Sequence, residues 1–441
     1  MSERGELDRE AGLTRRRFIT GIGVAAGAAV AAGYGLSVWT DGGSSSTHTA
    51  RPAPPTLGGR DDRTLVVVEL GGGNDGLSTV VPLTDPAYRT LRPTLAVQNP
   101  IALDDAVGLH PNLAKLAARY QAGHVAIVEG VGYPDPNLSH FASLAYWWSA
   151  TPGESSNARW LGRYLDGTVG FEHPLVAVGI GPVPSPALLG THSFATSITD
   201  ASGLQPALPP WADTVDDVVA AWSRFAPATP DPTDLLGQVE QAIHLTVKAR
   251  AELRTDLARV SAGASAPADE LNAARQGNYR RSASVQDSLR LAAELVTSPN
   301  PPRVVYVSGL GDYDTHQGQA QRHPALMSDL DAGLDAFFTT MEQSKVPDRA
   351  LVITVSEFGR RPSENGSGTD HGTAAPHFVI GPVVKGGRYG TPPSLTALDD
   401  HGNLVHTVDF RSLYATAVQG WLGVDAEAIV GKGFDPLPVF A

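Results

Sequence analysis

The chain has 441 residues, a formal net charge of −13, no cysteine, and abundant glycine (47) and proline (34). Without cysteine there are no disulfides, thiolate metal sites or thiol nucleophiles. An acidic chain with no basic run beyond its first residues argues against nucleic acid as a partner and is compatible with cation binding.

Thr14-Arg15-Arg16-Arg17-Phe18-Ile19 reads as a twin-arginine export signal, followed by an uncharged Gly/Ala-rich stretch from Gly21 to Trp39. Residues 1–40 are therefore expected to be a signal peptide that engages the twin-arginine translocase, with Ala29-Val30-Ala31 as a cleavage site. Left uncut, the stretch is about long enough to anchor the chain in a membrane. The expected location is outside the cytoplasm: periplasm, cell envelope or medium. A Ser/Thr/Pro/Gly linker occupies 41–60.

Thr64–Leu70 is an apolar, β-branched run expected to form a buried first strand, which enters Gly71-Gly72-Gly73-Asn74-Asp75-Gly76. That run fits a dinucleotide fingerprint, but the motif should open a helix. Pro82, Pro86 and Pro93 follow, so we read the glycines as a sharp turn that presents Asn74 and Asp75 to a cleft. A helix is expected over Leu109–Ala122, a strand at Val125–Val128, a helix at Phe141–Ser149 with Ser139 near its start, and a strand at Leu175–Ile180. The Pro/Gly/Ser-rich and then charged, helix-periodic stretch 182–300 reads as a mostly helical insertion or cap between core segments 61–181 and 301–441. Strand and helix alternation resumes at Arg303–Val307, Pro324–Gln343 and Ala350–Val355, with a short strand at His377–Ile380 after a polar loop. The alternation predicts an α/β fold, a three-layer sandwich with a mostly parallel sheet.

Carboxylates and imidazoles gather after these strands. Asp314-Thr315-His316 follows Val304–Val307, Glu357 ends Ala350–Val355, and Asp370-His371 lies in the loop before the last strand. Asp, Glu and neutral His are the donors a divalent metal requires, and functional groups collect at the carboxyl ends of parallel strands. Asp312 competes with Asp314 for the ligand role. Glu357 is either a metal ligand or the partner of Arg360 and Arg361, which in turn either bridge it or hold an anion. Ser139 is either a helix cap or a nucleophile at a helix N-terminus, where an anion is favoured. His140 beside it is an anion contact or a satisfied polar residue. His110 and His323 are assigned structural roles, and His377 is the candidate for a hidden ligand.

Gly-Gly-Asn-Asp-Gly (72–76), Ser-His-Phe (139–141), Gly-x-x-Asp-Thr-His (311–316), Ser-Glu-Phe-Gly-Arg (356–360) and Gly-Thr-Asp-His-Gly (368–372), behind a twin-arginine signal, together resemble a bacterial exported family, domain of unknown function 1501. That family is similar to the alkaline phosphatase and sulfatase superfamily. The resemblance implies metal ligands at Asp75, Asp314, His316, Glu357, Asp370 and His371, and a nucleophile at Ser139. It departs from the superfamily at Ser356-Glu357-Phe358, where an Asp-His pair is usual, and at Ser139-His140-Phe141, which lacks the context for a formylglycine sulfatase. The expectation is an exported hydrolase of phosphate or related anionic esters, small or polymeric. It would use divalent metal (Zn, Mn, Mg or Ca), Ser139 or a metal-bound hydroxide as nucleophile, and His140 and Arg360 to hold the anion. The alternative is a non-catalytic, metal-stabilised binding or assembly protein.

Overall fold

The structure is a computed structural model that describes residues 59, 62–151, 158–168, 173–191, 193–200, 204, 208–209, 211–226, 235–257, 284–310 and 312–440. The expected signal with Arg15 and Arg16, nearly all of the linker, Gly311 and the stretch 258–283 lie outside the described residues. Among the described residues no helix is long and apolar enough to cross a membrane.

The strands are β1 (Thr64–Glu69), β2 (Val80–Pro82), β3 (Ile101–Ala102), β4 (Val107–Leu109), β5 (Val125–Gly132), β6 (Ala177–Ile180), β7 (Thr196–Ile198), β8 (Val304–Val307), β9 (Ala350–Val355), β10 (Arg360–Glu364), β11 (Thr369–His371), β12 (Ala375–Ile380), β13 (Gly387–Tyr389) and β14 (Val408–Asp409). The longer helices are α1 (Ala114–Gln121), α2 (His140–Ser149), α3 (Trp160–Thr168), α4 (Val215–Phe225), α5 (Leu235–Leu257), α6 (Val285–Thr297) and α7 (Gln319–Gln343).

The chain divides into two compact units. Within Ser202–Thr255 the described elements are α4 and α5. Thr214 and Asp217 form a reciprocal capping box at the start of α4, and Arg250 and Arg254 reach Asp216 at 3.4 and 3.6 Å.

The larger unit is built on a nine-stranded sheet of order β13-β5-β12-β9-β1-β8-β6-β7, with β14 also on β5. Every described pairing in it is parallel except those of β12 with β5 and β9. The mostly parallel α/β fold expected from the alternation is the one observed. β1 lies inside the sheet and is buried along its whole length, which explains its continuous apolar run rather than alternation. Leu65 and Val67 face a core shared with α2, α3 and the C-terminal segment around Phe410, Tyr414 and Trp421. Val66 and Val68 point to the other face, where α1 packs on β5, α6 on β8, and α7 on both helices.

Several boundaries differ from expectation. Leu109 ends the strand β4, and the helix begins only at Ala114. The helix expected at Pro324 starts at Gln319 and carries Pro324 in its second turn, where proline removes one backbone hydrogen bond. Asp370 and His371 lie on β11, paired with β10 in a hairpin rather than in a loop. Gly76–Thr79 forms a single helical turn followed directly by β2, too short to be the helix that a dinucleotide motif opens. The stretch 182–300 contributes β7 to the sheet and α6 to the larger unit's helical layer.

A candidate metal centre at the strand ends

The site lies where β1, β5, β8 and β9 end, all running in one direction. After β1 the chain turns through Gly72 (φ +112°) and Gly73 (φ +80°), a left-handed region that disfavours side chains. Space demands glycine as well: a Cβ on Gly72 would lie 2.5 Å from the Asp314 backbone nitrogen, and one on Gly73 2.5 Å from the Phe358 ring. β5 leads into α2, whose first residue is His140. β8 leads to Asp314 and His316. β9 ends at Ser356-Glu357-Phe358, and the β10–β11 hairpin brings His371 opposite Arg360.

Three imidazoles converge on Asp314. His140 Nε2 lies 3.6 Å from Oδ2, while His316 Nε2 and His371 Nε2 lie 3.2 and 3.3 Å from Oδ1. The other nitrogen of each ring also meets an oxygen. His140 Nδ1 is 2.8 Å from Glu357 Oε1, His316 Nδ1 is 3.2 Å from Asp370 Oδ1, and His371 Nδ1 is 2.8 Å from the Leu138 carbonyl. A neutral imidazole has one N–H, so each ring satisfies only one of its two acceptors. Donation from Nδ1 to the outer oxygens leaves three Nε2 lone pairs turned towards a carboxylate. That arrangement calls for positive charge at the centre beyond the Arg360 guanidinium, which meets Asp314 Oδ1 at 2.6 Å: extra protons or a metal ion. It is also the arrangement in which outer oxygens fix the tautomer of metal-binding histidines.

The spacing fits an ion. Donors ~2.0–2.2 Å from a tetrahedral metal are themselves about 3.4 Å apart, close to the distances observed. His140, Asp314 and His371 have ligating atoms all within 4.8 Å of one another. Extra protons would place adjacent cations in rings whose centroids are only 4.4 Å (His140–His371) and 4.5 Å (His316–His371) apart. His140 is raised from its ordinary pKa, chiefly by its hydrogen bond to Glu357, whereas burial lowers His371. Burial by itself would raise Asp314, but the Arg360 hydrogen bond and charge, with the histidines, hold its carboxyl below the usual range.

Of the residues singled out in the sequence, Asp314, His371 and His140 therefore meet at one point, and His316 reaches the same carboxylate. Glu357 and Asp370 reach it through His140 and His316. Glu357 is almost completely buried. Its Oε1 also accepts from the Gly72 amide at 2.8 Å, and its Oε2 is buried with no hydrogen-bond partner. Arg360 is buried: it donates to the carbonyls of Gly73 (2.7 Å), Thr369 (2.9 Å), Tyr313 (3.1 Å) and Gly72, and to Asp314 Oδ1 at 2.6 Å. It braces three loops.

The structure does not bring Asp75 into this cluster. Its completely buried carboxylate is paired with Arg92 at 2.5 Å and accepts from Ser78 and Gln319. Ser139 is the N-cap of α2, yet its side chain makes no capping bond, and it is exposed beside His140. Asp312 pairs with Arg322 at 2.9 Å. His110 and His323 are buried together 5.7 Å apart. His377 is buried against Trp147, with both ring nitrogens unpartnered.

Two participants escaped the sequence reading. Arg92, beyond a proline-rich turn, carries no local sign that it neutralises Asp75. Glu69 ends β1 as Glu357 follows β9; it accepts from Trp148 (2.9 Å) and Tyr306 (2.6 Å), and burial raises its pKa, with a smaller push from Glu357. Glu69 carries the same local sign as Glu357, a carboxylate closing an apolar strand.

No curated protein matches the sequence. Among solved structures the chain is similar to a protein in the alkaline phosphatase superfamily from Vibrio parahaemolyticus (9% identity, TM-score 0.35, 88% of this chain and 74% of that one covered). It is also similar to alkaline phosphatase from the Antarctic bacterium TAB5 (10% identity, TM-score 0.30, 73% and 92% covered). Residues 209–434, which carry Asp314, His316, Glu357, Asp370 and His371, match the model described as protein of unknown function (DUF1501), and the chain belongs to that family.

Proposed function

We propose that this protein is a metal-dependent hydrolase of phosphate or related anionic esters, exported by the twin-arginine route. The observation that carries the metal is the convergence of three Nε2 atoms on Asp314, each ring held from behind by an oxygen. His140, Asp314, His316 and His371 hold the ion. Three nitrogens and a carboxylate suit Zn better than Mn, Mg or Ca, which favour oxygen. When bound, a divalent ion polarises the ester oxygen and offsets developing negative charge. Ser139 supplies an exposed hydroxyl beside His140 at the N-terminus of α2, where backbone N–H groups favour an anion. Its lack of a capping bond leaves that hydroxyl unengaged in the helix. The substrate is an anionic small-molecule or polymer ester that reaches the site from outside the cytoplasm.

Purified protein loaded with Zn2+ or Mn2+ should turn over aryl phosphate or sulfate esters. Ser139→Ala should abolish turnover while keeping metal content, and should cost less than the ~0.5–2 kcal/mol of a lost cap. Asp314→Ala should lose the metal itself. Metal bound stoichiometrically with no turnover on any ester would favour the non-catalytic reading. Arg360 supports that second reading, because its guanidinium is buried and committed to four carbonyls and Asp314 rather than presented to a substrate anion. Export is tested by Arg15→Lys with Arg16→Lys, which keeps the charge; normal secretion of that variant would remove the twin-arginine assignment.

A further inference from the structure

Two of the three segments that supply the proposed centre, 314–316 and 369–371, are joined through one buried amide. Gln319, the first residue of α7, is 2% exposed. Its Oε1 accepts from Thr369 Oγ1 at 2.7 Å and from Thr315 Oγ1 at 3.2 Å, and its Nε2 donates to Asp75 Oδ2. Thr315 sits between Asp314 and His316, and Thr369 precedes Asp370 and His371. Both threonines are completely buried. The backbone adds Thr369 N to Thr315 O (3.3 Å) and Gln319 N to Ser367 O (3.0 Å). An amide fits this position without taking up a proton, since it accepts from two hydroxyls on one side and donates to a carboxylate on the other.

Asp75 is fixed in turn. Its carboxylate accepts from Arg92 and Ser78, and the same guanidinium donates to the carbonyls of Pro362 (2.9 Å) and Arg361 (3.0 Å) on β10. A charged acceptor strengthens the Gln319 bond, and complete burial makes leaving it unmade costly.

We propose that Gln319, held by Asp75, is a positioning residue that sets the separation of the Asp314/His316 and Asp370/His371 segments for metal binding. Asp75 thus serves the centre from behind, as the anchor of this amide. The inference rests on the metal reading above. Outer partners of metal ligands typically contribute 10–100-fold in affinity, and Gln319 acts on two ligand-bearing segments at once.

The test is Zn2+ titration of the full chain, with thermal unfolding of each metal-free variant as the folding control. Gln319→Leu keeps the volume and removes all three side-chain bonds; Zn2+ binding should weaken by about 10–100-fold. Thr315→Val with Thr369→Val removes the two hydroxyl donors while leaving Gln319 in place, and should weaken binding in the same direction even if Gln319→Leu fails to fold. Gln319→Glu supplies a readout that a packing role would not move. Ionised, it faces the Asp75 carboxylate and binds Zn2+ no better than Gln319→Leu. Protonated, it reproduces the amide's pattern, so its Kd relative to that of Gln319→Leu falls as pH is lowered. Native affinity in Gln319→Leu, or in the double valine variant, overturns the proposal, as does a Gln319→Glu to Gln319→Leu ratio that is flat with pH. Absence of Zn2+ binding by the native chain would sink the metal reading and this inference together; native binding unchanged by these variants sinks this inference alone.

Discussion

Arg92→Met is expected to be among the most destabilising single changes in the larger unit, and its effect should shrink in acid. Arg92 and Asp75 are both completely buried and 2.5 Å apart. Removing one partner of such a pair typically costs about 3–5 kcal/mol, because the remaining charge is stranded. The carbonyls of Arg361 and Pro362 also lose a donor, about 1 kcal/mol each at the low end. The total, about 5–7 kcal/mol, is a large part of an ordinary 5–15 kcal/mol stability. The pH dependence follows from Asp75. Burial alone would raise its pKa, but the Arg92 charge and hydrogen bond outweigh that and hold the carboxyl well below its usual range. In the native protein this contribution is fully present above the unfolded pKa of ~3.9 and is lost as pH falls below it. Without Arg92, burial dominates and the carboxyl is raised. Protonation then relieves the stranded charge, and the variant loses less than the native chain as pH falls. Urea unfolding of both proteins at pH 7 and pH 5 should show the gap narrowing, and Asp75→Asn in the Arg92→Met background should recover part of it. A gap below ~1 kcal/mol at pH 7, or one that widens in acid, would refute the ion-pair account.

Gly73→Ala combines a positive φ, about 1–2 kcal/mol, with a Cβ driven into Phe358, about 1–3 kcal/mol. Because Phe358 lies against both His140 and His371, Zn2+ affinity should fall along with thermal stability. Unchanged affinity would separate the glycine loop from the centre. Burial pushes His323 down to about 4, so the unfolded state binds the extra proton first. Stability should drop by about 3 kcal/mol as pH falls from ~6.5 to ~4, since each tenfold difference in proton affinity between the folded and unfolded chain is worth about 1.4 kcal/mol. His323→Leu should flatten urea midpoints over that range, and an unaltered slope would exclude His323 as the cause.

The sequence by itself determined the architecture of the larger unit and the neighbourhood of its site. β1 and β9 are continuous apolar runs because both their faces are covered, and that pattern survives in one dimension. Asp314, His316, Glu357 and His371 stood out because carboxylates and imidazoles in short motifs near strands are local information. What each residue touches was not local. Glu357 and Asp370 carry the same functional groups as Asp314, yet only the tertiary structure puts Asp314 among three imidazoles and gives the other two a ring apiece to hold. Asp75 read as a ligand because the residue that neutralises it, Arg92, lies beyond a turn whose course is set by packing against β10. His140 read as an anion contact because its nearness to Asp314 and Glu357 arises only when β5, β8 and β9 lie side by side in one sheet. Strand pattern records burial, which every residue expresses on its own; the division of labour among charged groups depends on distances of about 3–4 Å between segments far apart in the chain, and folding alone creates those distances.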